Sequence, residues 1–234
     1  MALAHPRPRV AVVDYHKGNL LSVVRSLSDV GADAQATDDP DVIAAADAVV
    51  VPGVGAFEDA MAYLRASGEA EAVCDAARRG IPFLGICLGL HVLFERGSER
   101  SDGTAGDWVE GLGILRGSVT RLESGRLKVP HVGWDQLHLT QHGKACPLYA
   151  GIPEGANVYF THSYALADDV DEAIVTTRSH YTRSFASGVW ENNIVGMQFH
   201  PEKSSTTGLA MLRNFVNMVS AAGDDCLHVI SSVS

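Results

Sequence analysis

Positive charge is scarce in this chain. Lys and Arg number 18 against 28 Asp and Glu, giving a net charge of −10. No basic stripe is visible, which argues against a nucleic-acid role. Cysteine is sparse too: the four residues, Cys74, Cys87, Cys146 and Cys226, are widely scattered. No pair has zinc-finger spacing and no disulfide framework can be read from them; a reducing cytoplasm is the expected setting. Long apolar runs are missing. None could span a bilayer, and residues 1–9 lack the apolar core of a signal peptide. There is no internal repeat, low-complexity segment or clear domain boundary. A hydrophobic content of 46% and a charged content of 20% are ordinary for a soluble globular protein.

What is present centres on Ile81-Pro82-Phe83-Leu84-Gly85-Ile86-Cys87-Leu88-Gly89-Leu90. The first half is an apolar run expected to form a buried parallel strand. Helical spacing over residues 88–94 predicts a helix, with Leu90, Leu93 and Phe94 on one face. Cys87 stands at the join between two glycines. A strand turning sharply into a helix needs small neighbours, since a side chain at Gly85 or Gly89 would clash across the elbow. The expected turn lifts the sulfur out of the core to a helix N-terminus, where the dipole and free N–H groups favour a thiolate. Alone, the stretch fits an inert core cysteine equally well, because buried free Cys is common.

The rhythm around this stretch predicts an α/β fold. Residues 9–15 are an apolar first strand. Leu20, Val23, Val24, Leu27 and Val30 recur at helical spacing, and Gly31 stops that helix. Residues 33–37 are a weaker strand and 47–51 a stronger one, followed by helices at 57–66 and 69–79. Strand and helix in alternation imply an open, mostly parallel, doubly wound sheet with helices on both faces. After Glu99 the texture changes. Residues 98–107 are expected to be a polar loop, and 112–139, 157–167 and 173–181 short antiparallel strands. Residues 184–191 and 194–199 form a hairpin turning at Asn192-Asn193. An amphipathic helix covers 208–219. The expectation is a single domain over residues 10–220, with antiparallel strands added in its C-terminal half and flexible tails at 1–9 and 221–234.

Near the far end stands Val195-Gly196-Met197-Gln198-Phe199-His200-Pro201-Glu202. Pro201 biases His200 to an extended backbone, where residues two apart point the same way. His200 and Glu202 would then share a side, with the carboxylate holding one imidazole nitrogen and aiming the other at a nucleophile. By itself His-Pro-Glu reads as readily as a surface turn with a solvated carboxylate. Together with the cysteine elbow the functional reading gains, because open α/β sheets gather their sites at the carboxyl ends of strands. The chemistry would be acyl transfer. Cys87 attacks an amide carbon and His200 moves the proton to the departing nitrogen, with Glu202 holding the ring. The oxyanion would be met by the Leu88 N–H and by the Pro52-Gly53-Val54-Gly55 loop, where glycines on both sides of Val54 make a peptide flip cheap.

Gly85-Ile86-Cys87-Leu88-Gly89 with His200-Pro201-Glu202 resembles the class I, triad-type glutamine amidotransferases. Further segments narrow the resemblance: Asp14-Tyr15 with Gly18-Asn19-Leu20, Pro52-Gly53-Val54-Gly55-Ala56-Phe57, Pro130-His131-Val132-Gly133-Trp134, Tyr159-Phe160-Thr161-His162-Ser163-Tyr164, and Gln198 through Ser204. In this order, over residues 10–218, they are similar to the family of glutaminase subunits of imidazole glycerol phosphate synthase. The resemblance implies glutamine as substrate and a (β/α)8-barrel cyclase subunit as heterodimeric partner. Ammonia passes through that barrel to make imidazole glycerol phosphate and aminoimidazole carboxamide ribotide in histidine biosynthesis. It implies no cofactor and no metal. It implies Cys87, His200 and Glu202 as catalytic residues, and Val54, Gly55 and Leu88 as the oxyanion hole. For substrate binding it implies Gly53, Gly55, His91, Glu99, His162, Ser163 and Tyr164, with Glu99 at the ammonium. Asn19, Trp134 and Lys203 would face the partner, and the Pro52–Gly55 loop would flip when the partner binds its ligand.

Three departures from the family stand out. His91 occupies the position of the usual Gln four residues after the nucleophile. Asp135 replaces the usual Asn after Gly-Trp and cannot donate when ionised. His16-Lys17 takes the place of a Gly-plus-small or Pro pair. A sister amidotransferase, such as the glutaminase of pyridoxal phosphate synthesis, a free-standing γ-glutamyl hydrolase, or a non-enzymatic flavodoxin-like regulator are the alternatives. The segments at 14–20 and 130–134 argue against the first two, and an intact Cys87, His200 and Glu202 against the third.

Overall fold

A computed structural model describes residues 7–16, 20–125 and 127–231. Strand β1 (Arg9–Val13) leads to helix α1 (Leu20–Asp29), then β2 (Asp33–Thr37). Apolar β1 is buried along almost its whole length, and α1 turns Val23 and Leu27 inward. Helix α2 (Pro40–Ala44) follows, started by Asp39, whose side chain accepts from the Asp41 N–H, and by Pro40 at its first turn. Strand β3 (Ala48–Val51) precedes helices α3 (Phe57–Ser67) and α4 (Glu69–Arg78). Strand β4 (Phe83–Ile86) then enters the single-turn helix α5 (Leu88–His91).

The second half adds β5 (Phe94–Glu99), β6 (Ala105–Glu110), β7 (Leu115–Arg121), β8 (His131–Gln136) and β9 (His138–Leu139); most of their pairings are antiparallel as expected, but β5 and β7 pair parallel. After helix α6 (Gln141–Ala145) come β10 (Asn157–His162), β11 (Tyr164–Leu166), β12 (Val175–His180), β13 (Ser184–Glu191) and β14 (Ile194–Met197). Helix α7 (Ser205–Ser231) closes the chain.

The main sheet has the order β2-β1-β3-β4-β14-β13-β12-β9. Its pairings from β2 to β14 are parallel, and those from β14 to β9 antiparallel. Two smaller sheets, β11-β7-β5-β6 and β10-β8, flank it. The period of two along each strand divides the core. Ala11, Val13, Val49 and Val51 pack on one face with Phe57, Leu64 and Val73 of α3 and α4 and with Phe94, Leu115 and Val119. Val10, Val12, Ala48 and Val50 pack on the other with Leu27, Phe160, Leu212 and Phe215. This is the doubly wound arrangement with antiparallel additions expected from the sequence.

Four details differ. The helix after Cys87 ends at His91, not Phe94, because Phe94 begins β5 and pairs with Leu115 of β7. Residues 98–107 are not all loop: the end of β5 and the start of β6 lie within them, with Glu99 opposite Ala105. Helix α2 was not anticipated. Helix α7 begins before Gly208 and carries on beyond Val219, through Gly223, to Ser231; no proline interrupts it.

Candidate active site

The elbow is built as its glycines require. Cys87 adopts φ 53°, ψ −111°, outside ordinary helix or strand. Such a conformation persists only where the surroundings enforce it. A Cβ on Gly89 would sit 1.7 Å from the Val51 carbonyl oxygen, and one on Gly85 2.9 Å from the Gly89 carbonyl oxygen. The Cys87 N–H donates to the Met197 carbonyl at 2.8 Å, so β14, the strand leading to His200, carries the nucleophile's backbone. Helix α5 is one turn long, so the dipole expected to act on Cys87 is small, and any larger field there must come from a side chain.

His200 supplies it. Its Nδ1 lies 2.8 Å from Glu202 Oε1, both side chains almost fully buried. The contact was expected from extended geometry, but Glu202 lies in the short 3₁₀ turn Pro201–Lys203 instead. Pro201 starts that turn, and the turn brings the carboxylate back to the ring. Among the described residues, buried His200 Nε2 has no hydrogen-bond partner of ordinary geometry, and Cys87 is the neighbour acting on the ring. Burial works against a charged imidazole, but the Cys87 sulfur and the Glu202 carboxylate outweigh it and raise His200 to about 10. The His200 N–H donates to the Tyr159 carbonyl at 2.9 Å. Ser204 Oγ donates to the His200 carbonyl at 2.6 Å and accepts from the Tyr159 N–H at 2.9 Å.

A cleft of about 570 Å³ opens over the sulfur, within the usual range for small-molecule sites. Of the residues expected in the site, Val54, Gly55, Cys87 and Leu88 line it on one side. His91, Glu99, His162, Ser163 and Tyr164 line the rest. Gly53 is held beneath: a Cβ there would fall 1.5 Å from the Tyr15 hydroxyl, which itself donates to the Pro52 carbonyl at 2.7 Å. The Leu88 N–H donates to the Gly53 carbonyl at 3.4 Å. Glu99 Oε2 accepts from the Phe57 N–H at 3.1 Å, and burial raises this carboxyl to about 7. His162 is kept neutral by burial. Its ring bonds to the Tyr164 carbonyl at 2.8 Å and to His131 Nδ1 at 3.2 Å. Asp102 and Gly103 also line the cleft and carried no signal in the sequence; Thr161 lines it too and lies within a segment that carries the resemblance, where it was given no role.

His91 lines the cleft and also makes a contact beneath it that was not expected. Its Nε2 lies 2.7 Å from Gln198 Oε1. Gln198 is a site residue that the sequence reading left without a role, although it lies two before His200 along an extended segment, where side chains share a side. Asp135 accepts from the Gln136 N–H at 2.7 Å and stands 3.6 Å from His131 Nε2. Trp134 and Val132 are exposed on β8, and Trp134 meets Tyr159 edge to face at 6.0 Å. Lys203 Nζ lies 6.0 Å from the Tyr159 ring. Asn19 and Lys17 lie outside the described residues. Among the described residues no group of three or more His, Cys, Asp or Glu is placed to hold a metal ion, and no helix is long and apolar enough to cross a membrane.

A cysteine on a strained elbow, an imidazole paired with a carboxylate, and a cleft above them stand together at the carboxyl ends of strands in a doubly wound sheet. Residues 11–219 match the family described as glutamine amidotransferase class-I. The imidazole glycerol phosphate synthase subunit HisH of Moorella thermoacetica is 46% identical over 215 residues, 92% of this chain and 97% of that protein. The subunit of the same description from Synechococcus sp. (strain JA-3-3Ab) is 45% identical over 213 residues, 90% and 94% of the respective chains. PurLQS from Thermotoga maritima, a solved structure, aligns with a TM-score of 0.69 at 20% identity, over 91% of this chain and 99% of that one; at that distance the likeness concerns the fold alone. The chain belongs to the class-I glutamine amidotransferases and, within them, to the HisH subunits of imidazole glycerol phosphate synthase.

Proposed function

We infer that this chain hydrolyses glutamine to glutamate and ammonia in the cytoplasm and delivers the ammonia to a (β/α)8-barrel cyclase subunit, which makes imidazole glycerol phosphate and aminoimidazole carboxamide ribotide in histidine biosynthesis. The observation that carries the reading is the buried His200–Glu202 pair, 2.8 Å apart, with Cys87 acting on the same ring under an open cleft.

The Cys87 sulfur attacks the side-chain amide carbon of glutamine and the carbonyl oxygen becomes an oxyanion. Protonated His200 gives its proton to the nitrogen as the C–N bond breaks, so ammonia leaves and a thioester remains. Water then adds to the thioester, His200 takes the water's proton, and the carbon–sulfur bond breaks to release glutamate. Glu202 keeps the ring aligned through both steps. Glu99 faces the substrate ammonium, and the main chain around His162, Ser163 and Tyr164, with Gly55, serves the carboxylate and acyl part.

One peptide controls the oxyanion hole. The Gly53 carbonyl, which accepts from Leu88, and the Val54 N–H belong to the same peptide plane. Turning that plane over frees the Leu88 donor and presents the Val54 N–H beside it, so a single rotation would assemble both donors. Gly53 and Gly55 make the turn cheap, and Gly55 already holds φ 110°. Docking of the cyclase subunit at the nearby Trp134 and Lys203 surface is the event that would drive it.

The test is glutamate formation by the purified chain, titrated with the cyclase subunit and its ligand. Slow turnover alone that rises steeply in the ligand-bound complex, and vanishes in Cys87→Ala, is expected. Hydrolysis surviving in Cys87→Ala would overturn the reading, and rapid turnover without the partner would remove the peptide flip and favour a free-standing hydrolase.

A further inference from the structure

The catalytic cysteine has a second polar neighbour besides His200. Gln198 Nε2 donates to the Cys87 sulfur at 3.6 Å, while Gln198 Oε1 meets His91 Nε2 at 2.7 Å. Gln198 is fully buried and His91 nearly so. The geometry points to Gln198 as a further catalytic residue that stabilises the anionic sulfur of Cys87, and to His91 as the positioning residue that keeps the Gln198 amide facing it. This rests on the reading of Cys87 as the nucleophile.

An amide beside a thiolate can help or harm. With nitrogen towards sulfur it donates a hydrogen bond to the anion. With oxygen towards sulfur it sets two electron-rich atoms against each other, at an effective dielectric well below that of water. What holds the amide the right way round is its other end. Burial lowers His91 to about 4, so near neutral pH the ring carries one N–H. When that proton is on Nε2, it donates to Gln198 Oε1 and the NH₂ group is left pointing at sulfur. The opposite tautomer would leave two acceptors facing each other at 2.7 Å. The amide orientation and the Nε2–H tautomer of His91 therefore support one another across this contact.

The backbone makes the arrangement firm. The Cys87 N–H is tied to the Met197 carbonyl at 2.8 Å, and the Gln198 N–H to the Ser187 carbonyl at 2.9 Å. The Cys87 carbonyl accepts from the His91 N–H at 3.1 Å. Nucleophile, amide and imidazole are thus linked by main-chain as well as side-chain bonds. A hydrogen bond to a charged group in such a site is worth roughly tenfold or more in an equilibrium. The position four after the nucleophile, which lines the cleft, thus also acts on the sulfur through Gln198.

The experiment is the pH dependence of iodoacetamide alkylation of the full-length chain, followed by mass spectrometry of the Cys87 peptide, with steady-state glutamine hydrolysis in the cyclase complex. Gln198→Met keeps the length and removes the donor. Its alkylation midpoint should rise by about one pH unit, and its kcat should fall about tenfold with KM changed less than about twofold. His91→Phe, which frees the amide to turn, should give the same shift at about a third of the size, and His91→Gln, which can hold the amide again, should restore alkylation to within about twofold of the parent. An alkylation profile of Gln198→Met that superimposes on the parent overturns the inference. If that variant does not fold, a parental profile for His91→Phe does so in its place. Cys87→Ala separates the two levels: hydrolysis lost in Cys87→Ala with a parental Gln198→Met profile removes only the role of Gln198, whereas hydrolysis retained in Cys87→Ala removes the glutaminase reading itself.

Discussion

The chemistry of single residues here is set by which groups are kept out of water. Glu202 is buried against His200, where it holds one ring nitrogen and favours the charged imidazole; in the proposed mechanism it orients that ring. Orientation contributes less than the nucleophile, so Glu202→Ala should retain about tenfold to a hundredfold more glutaminase turnover than Cys87→Ala, measured as kcat in the complex. Equal losses would count against that ordering. Glu99 offers a pH signature. Burial raises its carboxyl to about 7, so it is neutral below that pH and charged above. Only the charged form attracts the ammonium of glutamine. KM for glutamine should therefore climb by about fivefold to tenfold as the pH falls from about 8 to about 6, with kcat at saturation moving less. The climb should be absent in Glu99→Gln. The grouping of Cys87, His200 and Glu202 was legible because each lies inside a short pattern with its own geometry: glycines around Cys87, a proline after His200. The His91–Gln198 link was not, because it joins side chains from α5 and the end of β14, and spacing along a chain carries no information about which polar atoms meet across a sheet.

At the scale of elements, glycine decides where the chain can turn. Gly68 separates α3 from α4 with φ 82°, and a Cβ there would meet only Pro40 at 3.8 Å, an ordinary contact. The cost of Gly68→Ala is thus conformational, about 1–2 kcal/mol, and should lower Tm by about 2–6 °C while leaving alkylation of Cys87 intact. Gly89→Ala meets the Val51 carbonyl oxygen at 1.7 Å. Backbone must move, so this variant should both melt earlier than Gly68→Ala and lose the distinctive reactivity of Cys87. Thermal melts and alkylation rates of the pair check the contrast. The same elements show why the sequence misled at one point. Residues 88–94 have helical spacing, but a short apolar run does not distinguish helix from buried strand. Pairing of Phe94 with Leu115 and the approach of Phe57 to Gly97, where a Cβ would lie 2.6 Å from the ring, draw the chain into β5. The apolar strands at the centre of the main sheet were read correctly because both of their faces are buried, so the whole run is apolar.

At the scale of the molecule, the triad and the expected docking surface are neighbours. Trp134 on β8 is 55% exposed although β8 pairs fully with β10, so its ring is not needed by the core. It contacts Tyr159. The backbone of Tyr159 bonds both His200 and Ser204, and Lys203 follows Glu202 directly over the Tyr159 ring. Inward from the same strand, His131 bonds His162 at the wall of the cleft. A partner that covers Trp134 would therefore press on a ribbon bonded to His200 and to His162 of the cleft wall. Exposed aromatic anchors of this kind contribute about 2 kcal/mol or more to an interface. Trp134→Ala should raise the cyclase concentration that gives half-maximal stimulation of glutamine hydrolysis by about thirtyfold. If Trp134 contributes affinity alone, saturating cyclase restores the parental turnover. If the ribbon also transmits docking to the oxyanion peptide, turnover at saturation stays below the parental value, and the difference between the two plateaus measures that transmission. A half-maximal concentration that does not move would place the docking surface elsewhere on the molecule.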